Sequence, residues 1–285
     1  MKRRIREPTI NRPGLVLAGF HTYFADKRIQ IVGNAELSYL KSLPAKVANQ
    51  RIDEFFARSF PCLVVARNLQ VSPSILRAAE AAEIPVFRTP MVTMKFINAA
   101  TLALETEFAP ISSEYGSMVD IQGVGVLIRG ASGSGKSECV LGLIERGYSL
   151  VSDDITRFRQ VEGRELIATA AELTRFHMEV RGIGIINVAS AFGVGSVRPE
   201  KKLDLVVSLR EWSEVEEVDR LGLDHDMYEI LGIPVPHITL PVKMGRDLGR
   251  LVEVAALEQK LKGMGQSSAV EFNQKLIQYM QREPK

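Results

Sequence analysis

The sequence predicts an α/β protein with two domains, residues 1–112 and 113–285. From residue 14 onward, short apolar runs typical of strands alternate with segments whose apolar residues recur at helical spacing. Residues 109–117, APISSEYGS, combine small and polar residues with a proline and form the best candidate for a linker. A glycine-rich segment at 130–137 separates an apolar run from a helical pattern. We therefore expect a small N-terminal α/β domain, followed by an α/β domain that carries a ligand site.

The N-terminal domain is predicted to alternate between strands and helices. Ser72 and Pro73 mark one helix start, because serine caps helices well and proline suits the first helical position. Pro44 interrupts a helical pattern, since proline cannot donate the helical hydrogen bond. The predicted elements, in chain order, are a strand at 15–20, helical pattern at 36–58, a strand at 62–68, a helix from Pro73 to about Glu83, a strand at 85–89 and a helix at 92–108.

In the second domain, the helix after the glycine-rich segment carries its apolar residues on one face, and Gly147 is placed to end it. The residues on that face are Cys139, Val140, Leu143 and Ile144. Near the end of the chain, Ser268 and Glu271 predict a capping box for an amphipathic helix that runs to about Gln281. The predicted strands lie at 117–123, 124–130, 148–154, 176–182, 203–209 and 237–242.

Composition argues against several classes of protein. Hydrophobic residues make up 46% and charged residues 25%, which is typical of folded domains. Lys and Arg number 36 against 34 Asp and Glu, and the net charge of +2 favours neither nucleic acid nor an anionic membrane as a partner. Cys62 and Cys139 lie far apart in apolar segments and predict free buried thiols. Without a signal peptide or a candidate membrane span, the sequence predicts a cytoplasmic protein.

The segment at 130–137 matches the pattern G-x-x-x-x-G-K-[ST]. Its glycines allow backbone N–H groups to turn toward a ligand, and the following helix adds the positive end of its dipole. Lys136 can reach the outer phosphates of a nucleotide, and the Ser137 hydroxyl can bind Mg²⁺. A structural glycine-rich turn with a surface lysine is the alternative. The predicted phosphate-binding residues are Gly130, Ala131, Ser132, Gly133, Ser134, Gly135, Lys136 and Ser137.

Three carboxylates are candidates for catalysis or metal binding. Asp153 and Asp154 end the strand that follows the helix, and the carboxyl ends of strands face the ligand crevice in open α/β sheets. Because adjacent strand residues point in opposite directions, we expect different roles for them, one toward metal-bound water and one toward the attacking hydroxyl. An Asp pair that only caps a turn is the alternative. Glu179, beside Arg181, either ligates Mg²⁺ or forms a surface ion pair.

Several segments together resemble the bacterial HPr kinase/phosphorylase family over nearly the whole chain. The stretch MEVRGIGIIN at 178–187 looks like the signature of that family. The other matching segments are NRPGLVLAG at 11–19, MVDIQGVGVLIRGASGSGKSE at 118–138, SDD at 152–154, DRLGL at 219–223, PVKMGR at 241–246 and EVAALEQKLKGMG at 253–265. A generic phosphate-loop protein would not share this set.

The resemblance implies a C-terminal P-loop kinase domain related to the core of phosphoenolpyruvate carboxykinase, assembled as a homohexamer. It implies a Mg²⁺-dependent enzyme that phosphorylates a serine of the phosphocarrier protein HPr with ATP or pyrophosphate. The same enzyme would remove that phosphate by phosphorolysis, release pyrophosphate and so regulate carbohydrate metabolism. A small-molecule kinase or carboxykinase-like enzyme and a nucleotide-binding regulator without catalysis are the alternatives.

The resemblance also implies roles for single residues. Lys136 matches the catalytic lysine of the family, and Arg220 matches a catalytic arginine. Asp154 matches the carboxylate that acts as base in the kinase direction and as acid in the reverse direction. Ser137 and Glu179 match the magnesium ligands.

The chain departs from the family pattern at three places, one of which is the lead-in before NRPGL at 11–15, which is shorter than usual. Members of the family usually have a His-Gly pair, with the histidine catalytic, where this sequence has Tyr115 and Gly116. In the PVKMGR segment, which matches a loop tied to dephosphorylation, Lys243 and Met244 stand where Arg and Pro are frequent. The tyrosine at position 115 predicts a working kinase with weakened phosphorylase activity.

Overall fold

The computed structural model describes residues 3–212, 226–243 and 245–282. The chain divides into two units, Met1–Ala109 and Pro110–Lys285. The domain boundary predicted at residues 112 and 113 lies within a strand of the second unit, Ile111–Tyr115. In the described ranges, no helix is both long enough and apolar enough to cross a membrane.

The first unit is built on a parallel sheet with helices on both faces. Its strands, in spatial order, are β1 (Ile10–Asn11), β2 (Ile29–Val32), β3 (Leu63–Val65) and β4 (Val86–Arg88). Its helices are α1 (Gly14–Leu17), α2 (Asn34–Ser42), α3 (Ala45–Phe56), α4 (Pro73–Ala81) and α5 (Thr93–Phe108). Val32 and Val65 pack in a core with α1 to α4, whereas Ile31 and Val64 pack against α5. This division follows the alternation of side chains along a strand.

Most of the predicted elements of this unit are confirmed, but the strand predicted at 15–20 is wrong. Leu17 donates its N–H to the Pro13 carbonyl at 2.9 Å, so the apolar run begins in α1. Gly19 ends the turn with φ 102°, and a Cβ there would lie 2.5 Å from the Arg51 guanidinium. So short an apolar run does not distinguish a buried helical turn from a strand.

The second unit is built on a mixed sheet, with two smaller sheets beside it. The strands of the mixed sheet, in spatial order, are β15 (Asp226–Ile230), β16 (Ile233–Val242), β14 (Leu205–Glu211), β7 (Val124–Gly130), β6 (Ser117–Ile121) and β8 (Ser149–Ser152). The second sheet has the order β13 (Glu200–Lys202), β10 (Glu165–Ala170), β9 (Ile155–Val161) and β5 (Ile111–Tyr115), and the third pairs β11 (His177–Val180) with β12 (Gly184–Asn187). The helices are α6 (Lys136–Glu145), α7 (Val188–Phe192), α8 (Leu248–Gly263) and α9 (Ser268–Arg282).

The direction of three adjacent strands places the candidate site. β6 runs antiparallel to both β7 and β8, so the last residues of β7 and β8 share one edge with the first residue of β6. Val126 and Ile128 of β7 pack with α6 and α8 on one face, whereas Leu127 packs with the second sheet on the other. Both faces are therefore buried, and this edge is where loops can form a site.

Two further predictions differ from the structure. Residues 111–115 of the predicted linker form β5, because residues 155–159 of β9 supply an antiparallel hydrogen-bonding partner. At the start of α9, the Ser267 hydroxyl accepts the Val270 N–H at 3.4 Å, whereas the Ser268 hydroxyl donates to Glu258 Oε2 at 3.0 Å. The predicted capping box of Ser268 and Glu271 is therefore wrong, and the cap is one residue earlier.

Candidate functional site

A close-fitting turn of backbone joins β7 to α6. Gly133 and Gly135 have φ values of 88° and 82°, in the left-handed region that favours glycine. A Cβ on Gly130 would lie 2.4 Å from Ser134 Oγ, so a larger residue would not fit without a shift. The first N–H groups of a helix have no intrahelical partner. In α6 these groups follow directly after the turn. The loop can therefore hold an anion with backbone donors.

This loop borders a cavity of about 470 Å³ in the second unit. The cavity is lined by residues 130–133 and 135–138 of the loop and α6, together with Tyr115, Gly116, Asp154, Ile155, Glu179 and Arg181. Ser134 is the one predicted phosphate-binding residue that does not line it. Its hydroxyl is buried against Gly130 and has no hydrogen-bonding partner among the residues that the structure describes.

The ammonium group of Lys136 lies between two oxygen atoms at the floor of the cavity. Its Nζ is 2.5 Å from Asp154 Oδ1 and 3.1 Å from Ser117 Oγ. The Lys136 side chain is 13% exposed, whereas that of Asp154 is 64% exposed. The lysine is thus held in place, and the carboxylate faces the open side of the cavity.

Asp153 and Asp154 have different environments, as expected, although both lie beyond the end of β8 and not within a strand. Asp153 is buried, where its Oδ1 accepts the Ser117 hydroxyl at 2.6 Å and its Oδ2 accepts the Glu179 N–H at 3.2 Å. Asp154 has φ 57°, a left-handed conformation that aspartate tolerates better than most residues. This conformation turns the chain and leaves the Asp154 carboxylate in the cavity.

Glu179 and Ser137, the residues predicted to bind magnesium, both line the cavity. Within the described ranges, Glu179 forms no ion pair, and no cluster of three or more His, Cys, Asp or Glu side chains is arranged to hold a metal. Mg²⁺ usually takes only one or two carboxylates from the protein and completes its shell with water and substrate phosphates. A carboxylate and a hydroxyl beside a phosphate loop fit that chemistry.

Tyr115 and Ile155 form another wall of the cavity, as a cross-strand pair of β5 and β9. Tyr115 is 78% exposed, and its backbone carbonyl accepts the Arg129 Nε–H at 3.3 Å. Arg220, the predicted catalytic arginine, lies outside the residues that the structure describes, as does Met244.

No pattern in the sequence indicates Ser117, and Arg181 is indicated only as a possible ion-pair partner of Glu179. Arg181 Nη2 donates to Ser132 Oγ at 3.0 Å, which places a second cation over the loop. Ser117 reaches the site only because β6 starts at the edge where β7 and β8 end. Its adjacency to the Tyr115-Gly116 pair was the one available signal in the sequence.

Comparison with known proteins gives a consistent result over the whole chain. Residues 1–104 match the family description "HPr Serine kinase N terminus", and residues 106–276 match "HPr Serine kinase C-terminal domain". The chain is 43% identical over 268 residues to an HPr kinase/phosphorylase of Caldanaerobacter subterraneus subsp. tengcongensis, covering 94% of this chain and 88% of that protein. It is 43% identical over 282 residues to an HPr kinase/phosphorylase of Geobacter sulfurreducens, with 99% and 88% covered.

A solved structure resembles part of the fold. The Hpr(Ser) kinase/phosphatase from Coxiella burnetii superposes with a TM-score of 0.52 at 33% identity, covering 56% of this chain and 98% of that one. Two domain matches in sequence order and 43% identity over nearly full length exceed what a shared phosphate loop would produce. The chain therefore belongs to the HPr kinase/phosphorylase family.

Proposed function

We propose that this protein is a Mg²⁺-dependent kinase and phosphorylase that acts on a serine of the phosphocarrier protein HPr. The observation that carries the proposal is the contact between Lys136 Nζ and Asp154 Oδ1 beside the glycine-rich loop. A phosphate-binding turn, a held cation and an accessible carboxylate are the groups that phosphoryl transfer to a hydroxyl needs. The names of the relatives supply the identity of the acceptor.

In this proposal, residues 130–137 are the P-loop of a kinase core of the phosphoenolpyruvate carboxykinase type, with ATP or pyrophosphate as the donor. Asp154 accepts the proton of the seryl hydroxyl while the seryl oxygen bonds to the terminal phosphorus of the donor. The bond from that phosphorus to the bridging oxygen breaks, and ADP or phosphate leaves. Lys136 stabilises the negative charge on the transferring group.

The reverse reaction uses the same side chains in opposite order. An oxygen of inorganic phosphate bonds to the phosphorus of phosphoserine, and the bond from phosphorus to the seryl oxygen breaks. Asp154 returns a proton to that oxygen, so the products are serine and pyrophosphate. One carboxylate can serve both directions because its exposed side chain meets the same oxygen in each.

Ser137 and Glu179 are the residues that would hold Mg²⁺. When bound, the ion would neutralise phosphate charge and orient the donor. Arg220 as a catalytic residue, assembly as a homohexamer, a cytoplasmic location and a role in regulating carbohydrate metabolism belong to the same proposal.

The test is transfer of labelled phosphate to purified HPr, with ATP and then with pyrophosphate as the donor. We expect wild-type protein to label HPr and Lys136→Ala to be slower by at least about a hundredfold. Lys202→Ala is the matched control, because Lys202 pairs with Glu165 on the second sheet and does not line the cavity. Absence of labelling by wild-type protein, or near-normal labelling by Lys136→Ala, would overturn the proposal.

A further inference from the structure

We infer that Ser117 is a positioning residue for phosphoryl transfer: its buried hydroxyl holds the Lys136 ammonium in place and joins it to the carboxylate of Asp153. This inference rests on the proposed function and deepens it, because it concerns how the site is kept in order. The motifs in the sequence assign no function to Ser117. The roles predicted for its neighbours assign none either.

The Ser117 hydroxyl uses all of its hydrogen-bonding capacity within the site. A hydroxyl has one donor and two acceptor positions. It donates to Asp153 Oδ1 at 2.6 Å and accepts from Lys136 Nζ at 3.1 Å and from the Asp154 backbone N–H at 3.4 Å. The three partners come from two separate segments, α6 and the end of β8, so the hydroxyl ties them to β6.

The backbone around Ser117 is fixed independently of this hydroxyl. Gly116 donates its N–H to the Asp154 carbonyl at 2.8 Å, and its own carbonyl accepts the Thr156 hydroxyl at 2.8 Å. A Cβ on Gly116 would lie 2.8 Å from the Ile128 carbonyl, so the strands are in close contact here. Ser117 is 0% exposed, and water therefore does not compete for its hydrogen bonds.

Asp153 connects Ser117 to Glu179, another residue that lines the cavity. Its second oxygen accepts the Glu179 N–H at 3.2 Å, which fixes β11 at the residue proposed to bind Mg²⁺. A single hydrogen-bonded path thus runs from Lys136 through the buried Ser117 and Asp153 to the backbone N–H of Glu179. Loss of the hydroxyl would leave the Lys136 ammonium with Asp154 as its one described partner and would remove a donor from a buried carboxylate.

The experiment compares variants at Ser117 in the full-length protein, with HPr as acceptor and Mg·ATP as donor. Ser117→Ala removes the hydroxyl, while Ser117→Thr and Ser117→Val have equal shape and differ only in the hydroxyl. Ser149→Ala is the control, because Ser149 is another buried serine of the same sheet whose hydroxyl donates to the Gly195 carbonyl at 2.8 Å, away from the cavity.

We expect kcat to fall about tenfold or more in Ser117→Ala and Ser117→Val, because small misplacements of catalytic groups slow the chemical step strongly. KM for HPr should change by less than about threefold, Ser117→Thr should recover most of kcat, and Ser149→Ala should keep it. A kcat of Ser117→Ala within about threefold of wild type, or equal kcat for the threonine and valine variants, would overturn the inference.

Crystal structures of Ser117→Ala and Ser149→Ala supply a readout that does not depend on HPr. We expect Lys136 Nζ to move by about 1 Å or more in the first variant and to stay in place in the second. An unmoved ammonium in Ser117→Ala contradicts the inference even if the protein phosphorylates HPr. If wild-type protein does not label HPr, the proposed function fails, and the position of Nζ still decides the role of Ser117.

Discussion

A single peptide bond separates a buried carboxylate from an exposed one in this site. Asp153 has both oxygen atoms engaged in the interior, whereas Asp154 has its carboxylate in the cavity against Lys136. The left-handed φ of Asp154 contributes to the difference, because it turns the chain directly after Asp153, the first residue beyond β8. The alternation of strand residues predicts only that the two differ, whereas the family resemblance implies that Asp154 is the one that faces the ligand.

Asp154→Asn tests that assignment. Asparagine keeps the shape and can still contact Lys136, but it cannot take up a proton, so we expect nucleotide binding to persist while both reactions slow by about a hundredfold or more. Glu179→Ala provides the contrast, since it should chiefly raise the Mg²⁺ concentration needed for half-maximal rate. Titration calorimetry and initial rates measure the two effects. An intact kinase reaction in Asp154→Asn would make Asp153 the better candidate for the base.

Tyr115 occupies the position where the resemblance implies a catalytic histidine, and it is open to solvent at the cavity wall. A phenol stays neutral near pH 7, with a reference pKa of about 10 against about 6.5 for histidine. Phosphorolysis brings phosphate to a phosphoserine, so it gathers more negative charge than attack by a neutral hydroxyl and suffers more from a missing cation. We therefore expect this protein to be a stronger kinase than phosphorylase.

Tyr115→His should raise the rate of phosphorolysis, most clearly below about pH 6.5, where an exposed imidazole is protonated. Tyr115→Phe is the control, and it should lower both rates modestly because only a hydrogen-bonding hydroxyl is lost. The measurement is the ratio of the two rates across pH. A ratio that is the same in Tyr115→His and wild type at every pH would mean that charge at this position has no role.

At the scale of elements, the sequence predicts those parts whose signals are local. The break between α2 and α3 at Pro44 and the start of α4 at Ser72 follow from single residues with strong preferences, and both are confirmed. No local pattern indicates that residues 111–115 form a strand, because β5 has only β9 as a partner among the described strands and the paired residues lie about forty apart in the chain. No local pattern indicates Ser117 either, because it lies at the site only through the antiparallel pairing of β6 with β7 and β8.

The cap of α4 gives a prediction at this scale. The Ser72 hydroxyl accepts the Ile75 N–H at 3.4 Å, so Ser72→Ala should lower the free energy of unfolding of the first unit by about 1 kcal/mol. Ser74→Ala is the matched control inside the same helix, where alanine is the better helix former and stability should not fall. Urea denaturation followed by circular dichroism measures both. If the two changes lowered the free energy of unfolding equally, the Ser72 hydroxyl would make no specific capping contribution to stability.

At the scale of the whole molecule, the two units have separate hydrophobic clusters, and each unit contains one buried cysteine. Cys62 lies in the core between the first sheet and α5, and Cys139 lies on the buried face of α6. Burial raises the pKa of Cys62 to about 11 and, with a smaller contribution from Asp247, raises that of Cys139 to about 12. Both thiols are therefore protonated and shielded at neutral pH, and each can react only when its own unit opens.

This arrangement predicts that nucleotide protects one cysteine and not the other. Cys139 lies within one turn of Lys136 on α6, so a ligand on residues 130–137 binds only when α6 is in place. A ligand at a hundred times its Kd lowers the open population about a hundredfold, and labelling of Cys139 by a chromogenic disulfide reagent should slow accordingly. Labelling of Cys62 should not change, because the first unit has separate hydrophobic clusters.

Cys62→Ala and Cys139→Ala assign the two labelling rates to their residues, and Lys136→Ala should abolish the protection of Cys139 by nucleotide. Equal protection of both cysteines by Mg·ATP would show instead that the two units open together as one cooperative structure.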